Sequence, residues 1–259
     1  MTAAGAATLQ LWLLPRDEAR LGWYCRDGLS LLSSGERARV EQAASPVVAR
    51  RFLLGRVLMR RALGAHLGVD PARLLIIPNR YGKPLLLEPA YPDLAFSLAH
   101  SRSEWAFALA QGDGLGVDLE PLDRTRAIGR IAEAFYSAAE LQRLADEPAA
   151  ALGLWTLKEA VVKAVGGTIW QGLGDVSLEI GTGRIAWLAP PPKGDEAAWF
   201  LALGRLRGDH WLALALLSPP RSAAGPAVRI RVLEDEDEGG PPFILQFRSR
   251  AVRRRSGAG

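Results

Sequence analysis

The apolar positions of Trp155–Gly166, WTLKEAVVKAVG, follow a helical rule. Leu157, Ala160, Val161, Ala164 and Val165 fall at i, i+3, i+4, i+7 and i+8, an apolar stripe. Glu159 and Lys163 lie one turn apart on the opposite side, so the helix holds a carboxylate beside an ammonium. Upstream, Leu115–Glu120 (LGVDLE) is an apolar run interrupted by Asp118 and Glu120, and a strand puts both acids on one face.

The same reading covers the rest of the chain. Leu9–Leu14 predicts a first strand. Ser33 and Glu36 have capping-box spacing and open a short helix through Gln42. Ser45-Pro46 starts a longer helix that runs to Leu67 and stops at Gly68. Leu74–Ile77 and Leu85–Leu87 flank the NRYGKP turn as a hairpin, and Phe96–Ala99 with Trp105–Ala110 form a second strand pair. A capping-box spacing at Ser137 predicts a helix over Ala138–Asp146. Strands follow at Val176–Ile180, Arg184–Leu188, Trp199–Arg205 and Trp211–Leu217. This order predicts an α+β fold with an N-terminal half over residues 1–112 and a C-terminal half over 113–218. Ser218–Ala227 reads as a Pro/Ala/Gly linker. Val228–Leu233 and Phe243–Phe247 are β-like, but the acidic run between them and the terminal arginines predict a flexible extension over 219–259.

Composition changes the picture little. With 49% hydrophobic and 23% charged residues over 259 positions, the chain can build a sizeable core. The net charge of +4 and pI of about 9.6 suit an acidic partner or a polyphosphate, although Arg248, Arg250 and Arg253–Arg255 sit in the terminal stretch. Cys25 stands alone, which fits a reducing cytoplasm. The first residues lack the basic region of a signal peptide, and no stretch reaches the roughly 20 apolar residues of a membrane span.

Two acids on one face of a buried strand repel each other unless a cation joins them. Asp118, Glu120 and Glu159 together offer three hard oxygen ligands, the chemistry that suits Mg²⁺. Each element also has a plainer reading: an exposed Glu–Lys pair on a helix, or a strand end with hydrated acids.

The motifs nevertheless occur as a set. GVDLE, then WTLKEAVVKAVG, preceded by Tyr81-Gly82-Lys83-Pro84 and by FSLAHS at Phe96–Ser101, resembles the larger, Sfp-like group of 4′-phosphopantetheinyl transferases. The resemblance runs from about Leu9 to Leu217. It implies two similar α+β halves related by a pseudo-two-fold, with coenzyme A between them, acting as a cytoplasmic monomer. It also implies Mg²⁺-dependent transfer of phosphopantetheine from coenzyme A to a serine of an acyl or peptidyl carrier protein, releasing adenosine 3′,5′-bisphosphate. Asp118, Glu120 and Glu159 become the metal ligands. Glu159 is also the candidate base, and Lys163 stabilises developing charge. Arg51, Lys83, Pro84, His100, Lys158 and Lys163 become coenzyme A contacts, with Arg50 and Arg56 ranked behind Arg51. The chain departs from the pattern at Ser97 and Ala99, where the group has Asn and Ser. His66 and His210 match no motif and read as structural or surface residues.

Two other readings compete. A coenzyme A or nucleotide-binding protein of the same fold without catalysis is permitted by Ala99, while the complete acidic trio argues against it. A nucleic-acid-binding protein is suggested by the pI and the terminal arginines, but no nucleic-acid motif supports it, and neither nucleic acid nor membrane is expected as a partner.

Overall fold

Alternation in the first strand decides where the core lies. In the structure, a computed structural model describing residues 8–146, 150–167, 172–181, 183–219, 226–233 and 243–249, strand β1 spans Thr8–Leu13. Its Leu9, Leu11 and Leu13 are buried on one face and Trp12 on the other. β1 pairs antiparallel with β5 (Trp105–Gln111), which pairs antiparallel with β4 (Leu94–His100). Between β1 and β4 come helices α1 (Glu18–Asp27), α2 (Ser34–Glu41) and α3 (Pro46–Leu67), then the hairpin of β2 (Leu75–Pro78) and β3 (Pro84–Glu88).

The long helix has the predicted boundaries for the predicted reasons. Ser45 accepts a hydrogen bond from the Val48 N–H, Pro46 occupies the first turn, and Gly68 ends the helix with a φ of 68°. α3 packs its Leu54, Leu58 and Leu63 against Phe107 and Leu109 on the outer face of the β1 sheet. The capping box of Ser33 and Glu36 forms and starts α2. Helix α1, for which the apolar pattern gave no signal, is capped by Asp17, whose side chain accepts from the Arg20 N–H.

The second sheet contains β6 (Gly114–Pro121), β7 (Leu178–Gly181), β8 (Arg184–Trp187), β9 (Trp199–Leu206) and β10 (His210–Leu217). Every residue of β10 is buried, because both faces of this sheet are covered. Leu212, Leu214 and Leu216 meet the leucines of β1 between the two sheets. Trp211, Ala213 and Ala215 face α6 (Ala151–Ala164) on the far side. The result is a helix–sheet–sheet–helix stack, a mixed α+β architecture. α6 begins at Ala151, earlier than the apolar stripe from Leu157 suggested, because Leu152 and Leu154 extend the buried face. It is preceded by α4 (Thr125–Phe135), which the pattern did not signal, and by the expected α5 (Ala138–Asp146).

The C-terminal residues differ from the expected flexible extension. Ala227–Val232 forms β11, parallel to β1, and Phe243–Arg248 forms β12, antiparallel to β9. They do not pair with each other as a hairpin; each completes a different sheet. For β11 the physical reason is visible: β1 would otherwise be an edge with unpaired backbone groups, and the alternating Val228, Ile230 and Val232 pack on the core between the sheets. Leu233 then donates its N–H to Leu13 and is 5% exposed. The acidic run and the arginines from Arg250 onward lie outside the described residues.

Candidate functional site

The acids and the helix meet because two glycines let backbones touch. α6 lies flat on β6. A Cβ on Gly114 would stand 2.2 Å from the Ala164 carbonyl oxygen, and one on Gly116 would stand 1.8 Å from that of Ala160. Glycine is therefore required at both positions of this strand. The close approach brings the polar face of α6 to the end of β6, where Asp118 and Glu120 share a strand face.

Ligand oxygens of Asp118, Glu120 and Glu159 all lie within 4.8 Å of one another, and all three residues are buried. Lys163 Nζ contacts Asp118 Oδ1 at 2.6 Å and the Val117 carbonyl at 3.3 Å. Glu120 accepts from Arg124. Asp118 Oδ2, by contrast, is buried without a hydrogen-bond donor. Buried oxygens normally have partners, so one orphan in a cluster of three carboxylates fits a cation better than it fits a closed ion-pair network.

The electrostatics point the same way. Burial, followed by repulsion from Asp118, pushes the Glu159 carboxyl up to about 8. Burial and Asp118 raise Glu120 as well. Burial raises Asp118 against the pull of Lys163. For Lys163 burial acts against the charged form, but Asp118 and Glu159 outweigh it and hold the ammonium above the usual lysine range. Lys163 on Asp118 and Arg124 on Glu120 are two cations for three carboxylates, and among the described residues Glu159 has no cationic side chain of its own in the cluster.

Two cavities that share part of their walls lie beside this cluster. One, of about 400 Å³, is lined by Asp118, Glu120, Glu159, Lys163, Ser101 and Arg124 among others. The other, of about 990 Å³, is lined by Arg51, Lys83, Pro84, His100 and Lys163, and by Tyr81 and Gly82 of the same turn. Arg51, His100 and Lys163 belong to both. The structure thus gathers all but one of the expected contacts around one cleft. The exception is Lys158, which lines neither cavity. Its side chain is fully buried on another side of α6, bonded to Glu140 Oε2 and the Phe135 carbonyl, both at 2.8 Å. Successive helix residues point about 100° apart, so Lys158 and Glu159 diverge.

In the large cavity Lys83 donates to the Leu115 carbonyl at 3.2 Å and the Lys163 carbonyl at 2.7 Å, and burial, then Lys163, lowers its pKa to about 8. His100 is held below the usual histidine range by burial and then by Arg51. Ser97 and Ala99, the departures from the motif, are both buried in the cavity walls.

Further residues line the large cavity outside the motifs. Phe52 carries Arg39 and Arg56 over its ring, at 4.7 and 4.8 Å. Val48, Arg51, Phe52, Gly55 and Arg56 line one side of α3 at helical spacing, a signal present in the sequence but readable as a solvated basic face. Arg50 is elsewhere, paired with Glu18 at 2.5 Å. His66 is hydrogen-bonded to Gln10. His210 is 3% exposed and bonded to Ser101, so it faces the cleft's edge through that residue.

Comparison with known proteins agrees with this picture. A family model described as the 4′-phosphopantetheinyl transferase superfamily matches residues 114–215. The 4′-phosphopantetheinyl transferase HetI of Nostoc sp. is 34% identical over 61% of this chain and 68% of its own length. The slr0495 protein of Synechocystis sp., whose name assigns it provisionally to the same activity, is 31% identical over 80% of this chain and 86% of its own. The 4′-phosphopantetheinyl transferase Sfp of Bacillus subtilis is 28% identical over 53% and 62%.

Proposed function

Since the chain belongs to the 4′-phosphopantetheinyl transferase superfamily, we propose that it moves the 4′-phosphopantetheine group of coenzyme A to a serine of a carrier protein, with Mg²⁺ held by Asp118, Glu120 and Glu159. The observation that carries this reading is the junction of a buried acidic trio with a basic cleft large enough for a nucleotide. Three carboxylates in one place repel a polyphosphate, whereas the same three around a divalent cation attract it.

In this reading Arg51, Lys83 and His100 bind the phosphates and nucleotide end of coenzyme A in the large cavity, beside Pro84, while Lys163 stands where that cavity meets the acids. The carrier serine attacks the phosphorus that bears pantetheine, and adenosine 3′,5′-bisphosphate leaves. Mg²⁺, when bound, supplies positive charge for the pyrophosphate and its leaving oxygen. Lys163 adds a fixed ammonium for the charge that develops, already oriented by Asp118 and the Val117 carbonyl. Lys158 has no part in this: its ion pair with Glu140 anchors α6. The reading is tested by intact-mass analysis of a panel of apo carrier proteins incubated with the protein, coenzyme A and Mg²⁺. A gain of one phosphopantetheine on a carrier is expected; no gain on any of them would reject it.

Arg51→Ala and His100→Ala should weaken coenzyme A at least about tenfold, because a charge-assisted hydrogen bond is worth roughly 1.5–3 kcal/mol. Dephospho-coenzyme A should lose much less if the contact is to the 3′-phosphate. Calorimetric titration with both ligands makes the comparison, and equal losses would make the two residues structural.

Lys83 gives a pH signature. With its pKa near 8, free Lys83 is charged below that value and neutral above it. A bound polyanion favours the charged form, so binding above this pH must draw a proton onto Lys83 and affinity must fall as pH rises. Titrations at about pH 9 in buffers of different ionisation enthalpy should show proton uptake by the wild type and less by Lys83→Met.

A further inference from the structure

A hydroxyl, an imidazole and a carboxylate stand in line at the edge of the smaller cavity. Ser101 Oγ is 2.9 Å from His210 Nε2, and His210 Nδ1 is 2.8 Å from Asp209 Oδ1. Ser101 lies just beyond β4 and shares the cavity with Asp118, Glu120 and Glu159. His210, at the start of β10, is 3% exposed. Asp209 is gripped by Arg16 through both oxygens, at 2.6 and 2.8 Å, and Arg16 also pairs with the buried Glu104. Arg207 closes the network on Glu104 at 2.8 Å.

The tautomer follows from these partners. A carboxylate only accepts, so a neutral imidazole here carries its proton on Nδ1 and turns the Nε2 lone pair to Ser101. The Ser101 O–H then donates to Nε2, and its oxygen keeps lone pairs to accept another hydrogen bond. Nothing in the metal and anion sites requires this chain. It is the arrangement that draws a proton from a serine hydroxyl.

We propose that Ser101 and His210 take the proton of the substrate serine during transfer, with Asp209 as a positioning residue. The proposal rests on the transferase reading above. The substrate O–H donates to Ser101 Oγ. As the new O–P bond forms and the bond to the leaving bisphosphate breaks, that proton passes to Ser101 while the Ser101 proton passes to His210 Nε2. Ser101 ends as it began, His210 is left as imidazolium beside Asp209, and it later returns the proton to solvent. This arrangement leaves Glu159 to the cation.

The test is single-turnover transfer to a modified carrier identified by intact mass, across a magnesium titration. Ser101→Ala should slow transfer about tenfold, since a water can take the place of the hydroxyl, and His210→Gln about a hundredfold. The KM for coenzyme A should stay unchanged, Ser101→Thr should recover the rate, and added Mg²⁺ should restore neither slow variant. If the wild type transfers and both variants match it, or if Mg²⁺ restores them, the relay is wrong and the transferase reading stands. A wild type that modifies no carrier brings down both. Folding of the variants does not limit the test. A fluorophosphonate probe on the wild-type protein should bond to Ser101 Oγ, losing fluoride as His210 takes the proton, and absence of label on Ser101 in peptide mapping would overturn the activation.

Discussion

Glu159→Gln should slow carrier modification about 10²–10³-fold at limiting Mg²⁺, the loss expected when several kcal/mol of cation-derived charge stabilisation goes. The amide keeps one oxygen near the cluster but removes the charge. Glu159 sits within 4.8 Å of Asp118 and Glu120, so its contribution is to a shared ion. High Mg²⁺ should therefore return most of the rate. Asp118→Asn should behave similarly but recover less, because Lys163 then loses the negative charge of its buried partner at 2.6 Å. The proton released as Mg²⁺ binds gives a second readout. With the Glu159 pKa near 8, metal affinity should fall as pH drops below that value, and the fall should be shallower in Glu159→Gln. Activity of Glu159→Gln that no concentration of Mg²⁺ restores would make Glu159 the base and not merely a ligand.

Removing the chain after Ser218 should be at least as damaging, through the fold and not the chemistry. It deletes β11 from one sheet and β12 from the other. β1 is left as an edge, Tyr24 loses the Leu233 carbonyl it bonds at 3.2 Å, and Leu233, Val228 and Ile230 no longer cover the core. A buried aliphatic side chain is worth about 1.5–3 kcal/mol, and a whole domain is stable by only about 5–15 kcal/mol. Thermal melts should show a large loss of stability or no cooperative transition. A truncated protein that melts with the full-length chain would mean that both strands are dispensable.

What could be read in advance followed from periodicity and distance along the chain. Asp118 and Glu120 had to share a face, and Glu159 and Lys163 had to share another, because the repeat of each element fixes this. Arg51, Lys83, Pro84 and His100 could be placed together only through a resemblance, since residues in different elements carry no mutual signal. Lys158 shows the limit. Its direction follows from the helix repeat, but its partner Glu140 lies on another helix. His210 is harder still: its contact with Ser101 spans 109 positions and forms only because the β4–β5 and β9–β10 turns come together. Without that contact in view, the sequence offers Glu159 alone for both ligand and base. The terminal strands were obscured by composition, for an acidic run and an arginine cluster look like a tail even when β-forming segments stand beside them.

Gly114 and Gly116 have no functional atom beyond their backbones, yet they set the distance between β6 and α6. In a saturating mutational scan scored by transfer activity, these two positions should therefore be as intolerant as Asp118 and Glu159, while many apolar positions of α6 accept exchanges among similar side chains. Intolerance would then mark two different things along the same short motif. At the acids it would follow charge and recover with metal. At the glycines it would follow volume, worsen with each added carbon, and ignore metal altogether. An enzyme engineer who wished to move this centre would have to shift a helix, because the glycines, and not the ligands, define where it stands.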